Sequence, residues 1–290
     1  RMNYSFILET ICTLIFTCVI ILLNYEEYSV ILAYLFSYFI TILYSLRKIS
    51  KAFAKLEIDN PIRFGTVLNY SYKIHIYRII NTTEANFDLI LIATMLSVKE
   101  LGLYSVAVSL SILVKTLIQT PLSTILLPKL IQFDFQKRID ISTTYFKYTL
   151  IIVSFISIFL MIFGSFIIKI LYGKEFLEAY LPLIILLLGT IPKSATPCIN
   201  SFFKAINKPE ILYKVSIVTV LVNVVLCVIL ILVFNYGIVG ASIASATSYF
   251  IFTILIISRY LNHTKKDLKF VVPGINDISI LYKYLVNYII

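Results

Sequence analysis

The 290-residue chain is 60% hydrophobic and 14% charged, with a formal charge of +10. Soluble domains carry about a quarter charged residues, so this composition excludes a soluble globular protein and indicates a membrane protein. The basic excess does not indicate nucleic acid, because the Lys and Arg residues are scattered through short connections between apolar stretches.

No Met opens the chain and the first apolar span begins at residue 5, which reads as a protein cut from a longer one at its N-terminus. Crossing about 30 Å of hydrocarbon takes about 20 residues of helix. Eight stretches meet that length, approximately 5–23, 28–46, 64–95, 101–127, 145–171, 178–203, 211–234 and 238–258. All are continuous apolar blocks, whereas barrel strands alternate over about ten residues. Helices, which satisfy their own backbone polar groups in lipid, therefore follow.

The connections fix an orientation. Placing Arg1 in the cytoplasm leaves Lys99, Lys169 and Lys174 outside and seventeen Lys and Arg residues inside, as expected when positive loops stay cytoplasmic. Both ends of the chain then face the cytoplasm. The stretch 47–63, RKISKAFAKLEIDNPIR, is basic and amphipathic and reads as a cytoplasmic linker between two lobes. It divides the chain into two helices over 1–46 and six over 64–260, followed by a cytoplasmic or membrane-surface tail, 261–290. Cys12, Cys18, Cys198 and Cys227 fall in apolar spans without metal-binding spacing, so four buried free thiols are expected.

Four cations interrupt the spans: Lys73, Arg78, Lys115 and Lys193. A charge on a lipid-facing helix costs about 2.5–3.5 kcal/mol at mid-bilayer, so lipid exposure of all four is excluded. In KIHIYRIINTTEANFD, residues 73–88, the polar side chains Lys73, Glu84, Tyr77, Asp88, Asn81, Arg78, Thr82, His75 and Asn86 spread over roughly 220° of a helical wheel. Ile74 and Leu89 interrupt that arc. Tyr72, Ile76, Ile79, Ile80, Phe87 and Ile90 share the other side, together with Thr83. One face of this helix is expected to border a water-filled cavity.

The middles of the third, fourth and sixth spans lie near residues 80, 114 and 191, which puts Arg78, Lys115 and Lys193 at similar depth. Three cations near the midplane form a candidate site for an anion such as phosphate or pyrophosphate, gripped bidentately by Arg and as point charges by Lys. The alternative is that they pair with Glu84, Asp88 or carbonyls and only hold helices together. Lys73 and His75 complete the candidate substrate-binding set. Glu84 and Asp88, four apart on one face, are coupling-ion candidates, since burial raises a carboxylate's proton affinity; charge neutralisation is the competing reading. Pro192 and Pro197 are expected to kink the sixth span beside Lys193, and Pro121 the fourth. Gly237, Gly240, Ala241 and Ala244 are expected to let helices approach closely. No phosphate loop, dinucleotide motif, metal-ligand cluster or nucleophile motif is present in the sequence, so neither a cofactor nor an enzyme activity is expected.

The segment FDLILIATMLSVKELGLYSVAVSL, 87–110, resembles the corresponding motif of Wzx-type polysaccharide and O-antigen flippases, within the MATE-like superfamily of multidrug, oligosaccharidyl-lipid and polysaccharide exporters. LLPKL at 126–130, ILYGKEFLEAYLPLIILLLG at 170–189, KAINKP and YGIVGASIAS extend the resemblance in the same order. It implies an all-α, two-lobe MATE-like transporter fold working by alternating access, of which this chain would hold the last two helices of the first lobe, the linker and the six-helix second lobe. It further implies a polyprenyl-pyrophosphate-linked oligosaccharide carried from the inner to the outer leaflet for O-antigen or capsule synthesis. The site would be the cytoplasmic membrane of a bacterium or archaeon, with membrane lipids, H⁺ or Na⁺, and a polysaccharide polymerase and chain-length proteins as partners. Asp88 matches the motif's Asp, but the EANF context replaces the Arg or Asn that often precedes it. The alternatives are a multidrug/cation antiporter of the same fold, whose cavity should be dominated by acidic residues, and a membrane-embedded polysaccharide enzyme, which would need a large outer loop.

Overall fold

The computed structural model describes residues 4–22, 29–53, 64–274 and 277–280, and regular structure among them is entirely helical. The chain divides into two units, 1–63 and 64–290. The first contains α1 (Tyr4–Leu22) and α2 (Ser29–Phe53), packed on each other with Phe16 and Phe36 stacked at 5.6 Å. Most of the expected linker, 54–63, lies outside the described residues, as does the apolar end of the tail, 281–290.

The second unit is built from α3 (Phe64–Met95), α4 (Val98–Ile131), α5 (Phe135–Leu171), a 3₁₀ turn (Lys174–Ala179), α6 (Tyr180–Ala195), α7 (Pro197–Ala205), α8 (Glu210–Val228) and α9 (Gly237–Thr264). A π-turn, Ile229–Val233, ends α8, and a 3₁₀ turn, Leu268–Phe270, follows α9. Five helical stretches among the described residues are long and apolar enough to cross a membrane: Val98–Ile131, Phe135–Leu171, Lys174–Ala205, Glu210–Val233 and Gly237–Thr264. Thr10–Val19 is a shorter apolar stretch. Helix α3 has the length, but its ionisable face keeps it less apolar than the others.

Helix α5 starts ten residues before the expected span, at Phe135 rather than 145. The polar run QKRIDISTT continues it helically beyond the apolar block, and Arg138 secures the junction. Its guanidinium donates to the carbonyls of Leu130 (2.9 Å), Ile131 (3.2 Å) and Phe133 (2.7 Å) at the end of α4 and to Ala205 (3.1 Å) at the end of α7. The last carbonyls of a helix lack the N–H four residues on that a continuing helix would supply, and a cation there also meets the negative ends of both helices.

Pro192 and Pro197 do more than kink the sixth span; the helix breaks at Thr196 into α6 and α7. Proline cannot supply the N–H that the residue four earlier needs, while Pro197 suits the first position of a new helix. The Thr196 hydroxyl donates to the Lys193 carbonyl at 2.8 Å and recovers one bond. The small residues behave as expected of close packing. Ala241 and Ala244 are fully buried, and α6 and α9 approach closely where a Cβ on Gly189 would sit 2.6 Å from the Ala246 Cα.

Two apolar clusters fill the second unit. One gathers Ile92, Tyr104, Val114, Val153, Leu187 and Ala244; the other gathers Leu126, Phe146, Phe202, Phe203, Phe252 and Tyr260. Between them along α5, α6, α8 and α9 lie buried polar residues, Thr149, Thr190, Asn223, Ser245 and Ser248. Cys198 and Cys227 are buried free thiols, but Cys12 is only half-buried and Cys18 is exposed. The expectation of four buried thiols fails there because Cys18 is on a face of α1 that α2 does not cover.

Candidate functional site

The wheel of α3 is realised in part: Glu84 and Asp88 are buried and Lys73, Tyr77 and Asn81 half-buried, while His75, Arg78, Thr82 and Asn86 on the same arc are exposed. Tyr72, Ile79 and Ile90 are 65%, 52% and 61% exposed, whereas Glu84 and Asp88 are 3% and 5% exposed. An apolar face toward lipid and an ionisable face toward the bundle is the arrangement a membrane imposes on such a helix.

A cavity of about 480 Å³ opens against this helix, walled by α3, α4, and the α6–α7 break. Arg78, Lys115 and Lys193, placed at one depth by the sequence, all line it, together with Lys204. None of the lining residues is acidic. Neutral hydrogen-bonding groups fill the gaps between the cations, among them Asn81, Gln119, Ser123, Thr196 and Asn200. Tyr77 pins the wall: its hydroxyl accepts from Asn200 Nδ2 at 3.1 Å, and its ring lies 5.6 Å below the Lys204 ammonium. Asn81 Nδ2 donates to the Tyr77 carbonyl at 2.7 Å and to Ser216 Oγ at 3.3 Å, tying α3 to α8.

The four cations are not equivalent. Lys193 donates to Glu84 Oε2 at 2.8 Å, with side chains 7% and 2% exposed, and its ammonium lies 3.8 Å over the Tyr249 ring and 5.4 Å from that of Phe252. Glu84 Oε1 accepts from Ser248 at 3.3 Å. The charge on Lys193 is therefore largely answered from within. No ion pair joins Arg78, Lys115 or Lys204 to a carboxylate among the described residues. Lys73 stands apart, paired with Glu210 Oε2 at 3.4 Å, and His75 is exposed; neither lines the cavity.

Asp88 belongs to a separate buried cluster. Its Oδ2 accepts from the Tyr104 hydroxyl at 3.0 Å and from Ser245 Oγ. Asn223 Nδ2 donates to the same Ser245 Oγ at 3.2 Å. Asp88 Oδ1 and Asn223 Oδ1 are buried and have no hydrogen-bond partner among the described residues. A carboxylate oxygen and an amide oxygen beside two hydroxyls form a hard-oxygen environment.

Lys204 was not singled out in the sequence because it falls where the charge count places a cytoplasmic end. A signal for it exists: eleven residues after Lys193, it returns to the same side of a helix turning about 100° per residue.

The polysaccharide biosynthesis protein family model matches residues 2–181. The chain belongs to that family. A curated protein, the "probable low-salt glycan biosynthesis flippase Agl15" of Haloferax volcanii, is 29% identical over 226 residues, covering 74% of this chain and 45% of that protein. Three solved transporters share the fold. A MOP superfamily transporter from Pyrococcus furiosus described as having a binding pocket of reversed polarity superposes with TM-score 0.59 at 17% identity, over 74% of this chain and 50% of that one. An outward-facing multidrug resistance MATE transporter gives 0.58 at 16%, over 74% and 50%. The eukaryotic MATE transporter AtDTX14 gives 0.56 at 15%, over 76% and 51%. The chain thus spans about half the length of the flippase and transporters it matches. It is a multi-pass membrane protein of the polysaccharide biosynthesis protein family with the fold of the solved MOP transporters.

Proposed function

We propose that the chain holds the last two helices of the first lobe, the linker and the second lobe of a flippase that carries a lipid-linked oligosaccharide from the inner to the outer leaflet of the cytoplasmic membrane, with both ends of the chain on the cytoplasmic side. The carrying observation is the cavity in which Arg78, Lys115, Lys193 and Lys204 converge without a lining carboxylate. Cations concentrated in a low-dielectric wall attract an anion far more strongly than in water. A pyrophosphate diester offers oxygens for bidentate contact with Arg78 and point contacts with Lys115 and Lys204. The hydroxyl and amide side chains around them suit a sugar. Lys193, being paired with Glu84, serves chiefly to shape the wall. Kinship with the Haloferax volcanii glycan flippase supports the same reading.

The coupling role goes to Asp88 rather than Glu84. Glu84 is occupied by Lys193, whereas Asp88 keeps a buried Oδ1 with no hydrogen-bond partner among the described residues. A proton or Na⁺ taken up there would be bound by this second unit alone. The drug-antiporter reading, which the fold also accommodates, loses support from a cavity lined by cations. O-antigen or capsule repeat units are the cargo class proposed, and a polymerase with chain-length proteins the downstream partners.

Arg78→Ala and Lys115→Ala in the full-length protein are expected to abolish surface polysaccharide while leaving the protein's abundance in the membrane unchanged. Undiminished polysaccharide in both variants would sink this reading.

A further inference from the structure

A second cavity, of about 430 Å³, lies between α4 and α5 on another flank of α4 from the cationic one. Leu117, Pro121 and Ile125 from α4 and Ile152 from α5 line its length, with Lys129 and Tyr145 at one end. Leu117 and Ile125 are 60% and 64% exposed, so the groove opens sideways from the bundle. Pro121 contributes to it, since it has no N–H for the Leu117 carbonyl and its ring disturbs the regular ridge of the helix.

Two features give the groove a specific occupant. The first is length. From Leu117 to Lys129 is twelve residues, about 18 Å of helix, against about 15 Å for half of a bilayer's hydrocarbon. That length matches one leaflet, and an α4 that crosses the membrane brings Lys129 to the interface. The second is charge. Lys129 Nζ lies 3.3 Å from the Tyr145 hydroxyl and 5.3 Å from the centre of that ring. No ion pair joins it to a carboxylate among the described residues. An ammonium held at the rim of an apolar slot, beside a phenol able to donate, matches a phosphate attached to an acyl chain.

We propose that the α4–α5 groove binds an anionic phospholipid of the cytoplasmic leaflet, one acyl chain along Leu117 to Ile125 and the phosphate on Lys129 and Tyr145. A zwitterionic lipid fills the apolar slot equally but brings its own cation to Lys129, so the selectivity rests on that residue. The cationic cavity faces Lys115, Gln119 and Ser123 instead, so the lipid and the transported molecule occupy different sides of one helix. The inference does not depend on what is transported.

The test is native mass spectrometry of the full-length protein, purified in detergent and offered equal phosphatidylglycerol and phosphatidylethanolamine. Phosphatidylglycerol should be retained in preference. Lys129→Gln should reduce that preference roughly fivefold, from the usual contribution of one basic residue near a lipid headgroup, and Lys129→Arg should preserve it. Ile125→Trp, which fills the slot, should lower retention of both lipids. Equal retention by the unaltered protein, or an undiminished preference in Lys129→Gln, overturns the proposal. So does a groove that excludes phosphatidylglycerol and retains a polyprenyl phosphate, which would make it the path of the cargo's tail.

Discussion

Lys193 and Glu84, 109 positions apart in the chain, meet at 2.8 Å inside the bundle with almost no exposure to solvent. The pair joins α6 to α3, and the Tyr249 ring of α9 backs the ammonium. Removing one member of a buried pair leaves an uncompensated charge and costs about 3–5 kcal/mol, whereas replacing both with neutral groups costs much less. Lys193→Met and Glu84→Gln singly are expected to lower thermal stability by that order, and the double variant to recover most of it. Melting followed in detergent checks this; additive losses would show that the two side chains do not act together.

Asp88→Asn keeps the shape of its site and the bonds from Tyr104 and Ser245 but removes the charge. Under the coupling role proposed for Asp88, transport in vesicles should lose its dependence on an imposed proton or sodium gradient while Arg78-dependent substrate binding persists. Gradient dependence that survives the substitution rules Asp88 out.

Gly189→Ala places a methyl 2.6 Å from the Ala246 Cα and 2.9 Å from its carbonyl oxygen. The neighbouring atoms are backbone, so helices α6 and α9 must separate. Overpacking of this kind costs about 1–3 kcal/mol, read as a lowered melting temperature. By contrast Gly65→Ala, with nothing within 4 Å of the added carbon, should leave melting unchanged.

Asp277 anchors the described part of the tail. Its carboxylate accepts from the Gly274 N–H at 2.8 Å and pairs with Lys147 at 3.2 Å. The Gly274 N–H, aided by Lys147, holds this carboxyl below the usual carboxylate range. A depressed folded-state pKa means the anchor is fully present above the unfolded value, about 3.9, and is lost as pH falls through the lower folded one. Proteolysis of the tail should therefore accelerate only below about pH 4, and Asp277→Asn should cleave fast at neutral pH. Equal cleavage of the variant and the parent at neutral pH would show that the carboxylate holds nothing.

What could be read from the sequence follows from the range of each signal. The polar arc of α3 depends on spacing within one helix, and Arg78, Lys115 and Lys193 were brought to one depth by counting residues across a bilayer; all three line the cavity. The Lys193–Glu84 pairing depends on how distant helices rotate against each other, which no local period encodes. Lys73 and Glu210 met for the same unreadable reason. The break at Thr196 is half visible in its two prolines, but Lys204 falls one residue past the apolar stretch 178–203 and so reads as part of a cytoplasmic connection. The apolar groove beside Lys129 left no trace, because its walls have the same composition as any lipid-facing surface.

The buried serines, threonines and amides between the two apolar clusters form a fault plane through the second unit. Apolar cores resist deformation because every atom already has its neighbours, but a hydroxyl such as that of Thr190, 2.7 Å from the Ser111 hydroxyl, can trade one acceptor for another at little cost. When such a bundle bends, it should slip along that stratum and leave the two cores above and below it intact.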